Sequence, residues 1–198
     1  YHKMGTPQSA DELFYMNPTQ PLRFYGVSVD RDETAMMLTE SGMDNGNNLY
    51  VRDLKKPNSQ FIQMCADTRY LYAPVQTVDG KIYILTNAGA PKYRLMVADI
   101  ARPGFADWRE VVAESDDVLQ DVTFADDRMI LKYSKDNCTQ LYTYTVDGKR
   151  IGEIKLPTYG TASISGKRGS KEVFYDFTSY TIPNSVYCYD LATGKSTV

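Results

Sequence analysis

The 198 residues carry 22 basic and 25 acidic side chains, for a net charge of −3, together with 16 Tyr, 7 Phe, 13 Gly and 9 Pro. Near-balanced charge, with no stretch that interleaves Lys and Arg with aromatic residues, argues against nucleic acid as a partner. No apolar run reaches membrane-spanning length, so no membrane partner is expected, and the aromatic and turn residues point to an all-β domain.

In chain order, Tyr1 to Met4 and Leu13 to Tyr15 read as strands on either side of a Gly5-Thr6-Pro7 turn, followed by a linker carrying Pro18 and Pro21. Residues 1–22 are expected to be the end of a preceding, incomplete unit. The chain starts at Tyr1 without an initiator Met and is expected to belong to a longer polypeptide. Residues 23–69 form the first complete unit, with strands Phe24 to Val29, Ala35 to Thr39, Leu49 to Leu54 and Phe61 to Met64. Residues 70–116 repeat this plan with Tyr70 to Thr77, Lys81 to Thr86, Tyr93 to Asp99 and Trp108 to Val112. The Asp79-Gly80 pair between its first two strands is a strong hairpin signal, because both residues tolerate positive φ. Residues 117–158 hold Val118 to Phe124, Met129 to Tyr133, Gln140 to Val146 and Ile151 to Leu156. Residues 159–198 hold Thr161 to Ser165, Glu172 to Phe177 and Val186 to Asp190, and are expected to lack an outer strand.

One strand of each unit is an echo of the others. LYVRDL at 49, LMVADI at 95, LYTYTV at 141 and VYCYDL at 186 are spaced by 46, 46 and 45 residues. A strand-rich repeat of this period is the mark of propeller blades. The predicted fold is therefore a partial β-propeller of about four four-stranded antiparallel blades. Consecutive apolar residues such as Ile82-Tyr83-Ile84-Leu85 fit strands buried on both faces between stacked blades.

Catalytic chemistry is sought and not found. There is no G-x-S-x-G elbow to expose a serine nucleophile, and Gly160 to Gly166 has the wrong spacing. The single histidine, His2, has no triad partners in its neighbourhood. The pairs Asp30/Asp32, Asp116/Asp117 and Asp126/Asp127 match neither a glycosidase pair nor a calcium loop, and read as turn residues. The loop Asp44-Asn45-Gly46-Asn47-Asn48 offers polar groups to an ion, but a solvated loop is the plainer reading. Cys65, Cys138 and Cys188 are odd in number and far apart, and they lack neighbouring bases; no disulfide framework, zinc site, other metal or cofactor is expected.

Several separated stretches resemble the β-propeller domain of the prolyl oligopeptidase (prolyl endopeptidase) family of serine peptidases. They are Tyr1-His2-Lys3-Met4-Gly5-Thr6-Pro7-Gln8-Ser9 with Asp11, Thr86-Asn87 with Ala90-Pro91-Lys92-Tyr93-Arg94-Leu95, and Glu172-Val173-Phe174-Tyr175-Asp176-Phe177-Thr178-Ser179. The last continues through Pro183, Val186-Tyr187 and Asp190-Leu191. The resemblance implies about the last four blades of a seven-bladed propeller that admits short peptides to a Ser-Asp-His triad in a separate hydrolase domain. It also implies that Phe24 and Met43 lie on the wall of the substrate pocket. The alternative is a stand-alone propeller that binds a protein or a glycan through the loops at 40–48 and 87–92. Partners implied by the first reading are the hydrolase domain of the same chain and short proline-containing peptides. Open blade faces also predict self-association of the segment. Compartment stays open between cytoplasm and periplasm.

Overall fold

A computed structural model describes residues 1–198, and it contains four separate four-stranded antiparallel sheets in sequence order. The first holds β1 (Phe24–Val29), β2 (Ala35–Ser41), β3 (Asn47–Asp53) and β4 (Ile62–Cys65). The second holds β5 (Tyr72–Val78), β6 (Lys81–Thr86), β7 (Arg94–Asp99) and β8 (Arg109–Val112). The third holds β9 (Val118–Ala125), β10 (Arg128–Lys135), β11 (Cys138–Thr145) and β12 (Arg150–Ile154). The fourth holds β13 (Thr161–Ser165), β14 (Glu172–Thr178), β15 (Ser185–Asp190) and β16 (Lys195–Thr197). Each sheet is a simple meander, so the loops joining its second and third strands gather at one end of the assembly. The turns joining first and second strands gather at the other end.

Two expectations need correction. The fourth sheet does have an outer strand: the three residues of β16 pair with β15 from Asp190↔Lys195 to Cys188↔Thr197. Gly194, at φ +71, makes the reversal possible, and so short and exposed a strand carries too little apolar pattern to be seen in sequence. Residues 1–22 contain no strand, only a short 3-10 turn at Gln8–Ala10. This segment instead lays Phe14 and Tyr15 on the outward face of the first sheet, where they meet Tyr25, Tyr50 and Phe61.

The core lies between sheets rather than within any one of them. Leu49, Val51 and Met64 of the first sheet pack with Ile82, Ile84 and Met96 of the second. Tyr83, Leu85 and Val97 turn the other way, onto Phe124, Met129 and Leu131 of the third. Ile130, Leu141 and Ile154 then meet Val173, Tyr175 and Phe177 of the fourth. Ile82-Tyr83-Ile84-Leu85 thus serves two cores by strict alternation, which is why the stretch is continuously apolar. Each such side chain, fully buried, stabilises the array by ~1.5–3 kcal/mol.

Turn chemistry sets the registers. Asp79 and Gly80 have φ of 50° and 76°, as the hairpin signal requires. Asp136 and Asn137, at 48° and 60°, make a second tight reversal, so β10 and β11 extend further than their apolar residues indicate. In the first three sheets the fourth strand carries one extra residue against the third, with shifts at Leu49/Tyr50, Leu95/Met96 and Thr143/Tyr144. Such bulges increase the local twist of the outer strands.

Candidate functional site

The end of the assembly that carries the long loops is held together by bonds that cross from each sheet to the next. Asn47 N–H donates to Tyr70 O at 3.1 Å, Leu119 N–H to Lys92 O at 2.9 Å, and Thr139 N–H to Gly160 O at 2.9 Å. Gly46 lets two of these loops meet, since a Cβ there would lie 1.8 Å from Tyr70 O. The loops 42–46, 87–93, 136–137 and 179–184 lie at this end and form its rim.

Phe24, the first residue of β1, and Met43, in the β2–β3 loop, both lie at this rim. Neither belongs to the core: Phe24 is 68% exposed and Met43 fully so. Their supports are polar. Arg23 donates to Asp44 Oδ2 at 2.9 Å and to Gln20, and so ties the segment before β1 to the loop that carries Met43. The guanidinium lies across Gly42, where a Cβ would come within 2.6 Å of it. A cavity of about 310 Å³ lies between Gln20–Arg23 and Gly42–Asp44, and one of about 360 Å³ between Met43–Asn45 and Thr68–Arg69. Arg69, which lines the second, is clamped by Asp67 through Nε at 2.8 Å and Nη2 at 2.7 Å. That pairing holds the Asp67 carboxyl below its ordinary value. Asp44 is thus paired with Arg23 through Oδ2.

Sequence reasoning missed Arg23, Arg69 and the exposed tyrosines Tyr159 and Tyr180. The tyrosines flank a groove of about 470 Å³ between the third and fourth sheets, lined also by Asn137, Cys138 and Thr178. No local pattern marks these residues, because their relation arises across loops.

The outward face of the first sheet has its own polar centre. Glu40 is fully buried and accepts hydrogen bonds from Asn17 at 2.7 Å, Asn48 at 3.2 Å and Tyr50 at 2.8 Å. Burial pushes its carboxyl up, but the bonds from Tyr50, Asn17 and Asn48 outweigh this and leave it below the ordinary value. Tyr15 packs beside this centre against Tyr25, Tyr50 and Phe61, with ring centroids 5.5–5.7 Å apart.

Groups that other chemistry would need are engaged elsewhere. His2 Nδ1 lies 2.6 Å from Asp11 in an exposed pair, with no serine hydroxyl bonded to it. Burial pushes the Cys65 thiol up to about 12, which keeps it protonated and unreactive at neutral pH. Asp30 receives Thr34 N–H at 2.6 Å and Ala35 N–H at 2.8 Å, the turn role its position indicates.

A family model described as prolyl oligopeptidase, N-terminal beta-propeller domain, matches residues 1–198. The chain is 32% identical over 199 residues to the prolyl endopeptidase of Elizabethkingia meningoseptica, covering 100% of the chain and 28% of that protein. It is 24% identical over 195 residues to prolyl oligopeptidase A of Galerina marginata, covering 96% and 26%. Among solved structures, it superposes on a prolyl endopeptidase with a TM-score of 0.88 at 31% identity, over 99% of the chain and 29% of that protein. Galerina marginata prolyl oligopeptidase B, bound to a 35mer hydrolysis and macrocyclization substrate, gives a TM-score of 0.89 at 22% identity, a likeness of fold. The chain therefore spans under a third of the length of the relatives it matches.

Proposed function

Because the chain belongs to the prolyl oligopeptidase N-terminal β-propeller family, we propose that it is the non-catalytic propeller portion of a serine peptidase, gating access of short proline-containing peptides to a hydrolase domain. The observation that carries this reading is the superposition over 99% of the chain on a prolyl endopeptidase. It means that the four sheets have the curvature of a propeller. Inner strands fixed at that curvature line a channel that an extended peptide can thread and a folded domain cannot, so selection is steric. Phe24 and Met43 offer apolar surface at the rim, in keeping with a wall that an extended peptide touches.

The test is direct. Purified residues 1–198 are expected to leave a Gly-Pro fluorogenic peptide uncleaved, whereas the polypeptide that includes the hydrolase domain cleaves it and spares folded proteins containing the same dipeptide. Cleavage that follows residues 1–198 through successive purification steps would overturn the reading.

A further inference from the structure

At the end of the second sheet away from the Phe24 and Met43 rim, Lys81, Arg102 and Arg109 line one cavity of about 290 Å³. Their charged ends make no hydrogen bond and no ion pair within the chain. Every other arginine donates to an oxygen, pairs with a carboxylate or lies on an aromatic ring. Asp99 and Asp107 also line the cavity, yet neither pairs with a cation; Asp99 Oδ1 accepts Ala101 N–H at 2.8 Å. Three cations gathered around one volume without a bonded counter-charge repel one another, so an anion that accepts from all three lowers the energy.

The backbone holds these side chains in place. Lys81 of β6 stands opposite Asp99 of β7, and Arg109 of β8 stands opposite Val97, two residues back along β7. Paired residues, and residues two apart on a strand, share a face of the sheet, so Lys81, Asp99 and Arg109 leave it on one side. Arg102 arrives by a tight return, bridging Asp99 and donating its N–H to Asp99 O at 3.0 Å. The rest of the β7–β8 connection is anchored by Trp108, which is buried, donates Nε1–H to Pro103 O at 2.8 Å and packs on Tyr72 and Phe105. Arg102 and Arg109 thus project from fixed backbone.

We propose that Lys81, Arg102 and Arg109 form a binding site for a phosphate group, free or as a monoester. Two guanidinium forks and an ammonium come from three segments, β6, the β7–β8 connection and β8, and a tetrahedral phosphate has an oxygen for each. A carboxylate, with two oxygens in one plane, leaves a cation without a partner. Asp107 lines the same cavity and opposes the anion, so it holds the affinity down. The site lies away from the rim and does not depend on the gating role proposed above.

The experiment titrates inorganic phosphate, O-phosphoserine and acetate into residues 1–198 at low salt and follows the Ala101 and Arg102 amides by nuclear magnetic resonance. Saturable shifts with phosphate are expected, weakened at least tenfold in R102A/R109A, tightened severalfold in D107N, and weakened by added NaCl. Because D107N gains affinity, it tests the site even where the double variant folds poorly. Equal binding of the two phosphates assigns recognition to the phosphate group alone, and tenfold tighter binding of O-phosphoserine assigns the site to monoesters. Acetate binding as tightly as phosphate would overturn the phosphate assignment. No saturation up to about 20 mM phosphate, or an affinity unchanged in both variants, would overturn the site.

Discussion

The side-chain amide of Asn47 pairs with both main-chain groups of Tyr72, donating to its carbonyl at 3.0 Å and accepting its N–H at 2.9 Å. The amide acts as one more peptide unit of a ladder, and so fastens the loop end of the first sheet to the inner strand of the second. Asn47→Ala is expected to cost ~2 kcal/mol, because two buried main-chain groups lose their partners. Asn47→Asp is expected to cost at least as much, since a carboxylate cannot donate to the Tyr72 carbonyl. Urea unfolding monitored by tyrosine fluorescence reads both.

Acid should loosen the outward face of the first sheet through Glu40. Its carboxyl is depressed in the folded state, so its contribution is complete above the unfolded value of ~4.3 and disappears as pH falls through the folded one. The urea midpoint is expected to fall between pH 6 and pH 3 for this reason. Glu40→Gln should flatten part of that slope and cost ~1–3 kcal/mol at pH 7, because its amide N–H₂ faces Asn and Tyr donors.

The face that Tyr15 covers also carries exposed apolar side chains. Tyr25, Val27 and Val29 of β1 stay exposed beside it, and Arg52 stacks on Phe14 at 5.1 Å to hold the covering segment down. Self-association of residues 1–198 is expected at high concentration, and Tyr15→Ala should increase it by uncovering Tyr50 and Phe61. Light scattering across a concentration series measures this; a monomer with and without Tyr15 would refute it.

Phe24→Ala and Met43→Ala should each leave the stability of residues 1–198 within about 0.5 kcal/mol of the parent, as both side chains face solvent. In the peptidase proposed above, the same changes are expected to raise KM for proline-containing peptides severalfold while kcat holds, the mark of lost binding surface. A loss of thermal stability with unchanged kinetics would assign them to structure.

Much of the architecture follows from local pattern. The returning strands at 49, 95, 141 and 186 determine a blade repeat, Asp79-Gly80 determines a reversal, and Ile82-Tyr83-Ile84-Leu85 determines a strand buried on both sides. These features obey nearest-neighbour rules of backbone geometry and alternation, which a sequence carries residue by residue. The remainder depends on groups that meet only after folding. Leu13 to Tyr15 has the composition of a strand, yet its rings pack on Tyr25, Tyr50 and Phe61, so it becomes a cover for the first sheet. Lys195–Thr197 has little apolar character and is a strand because β15 offers an edge. Glu40 reads as the start of a polar loop, yet Asn17 from the N-terminal segment and Asn48 and Tyr50 from β3 converge on it and make its burial tolerable. Arg31 and Arg168 are ordinary turn residues until the curvature of four stacked sheets, summed over every core between them, brings the β1–β2 and β13–β14 turns together, where Arg31 Nη1 donates to the Arg168 carbonyl at 2.9 Å.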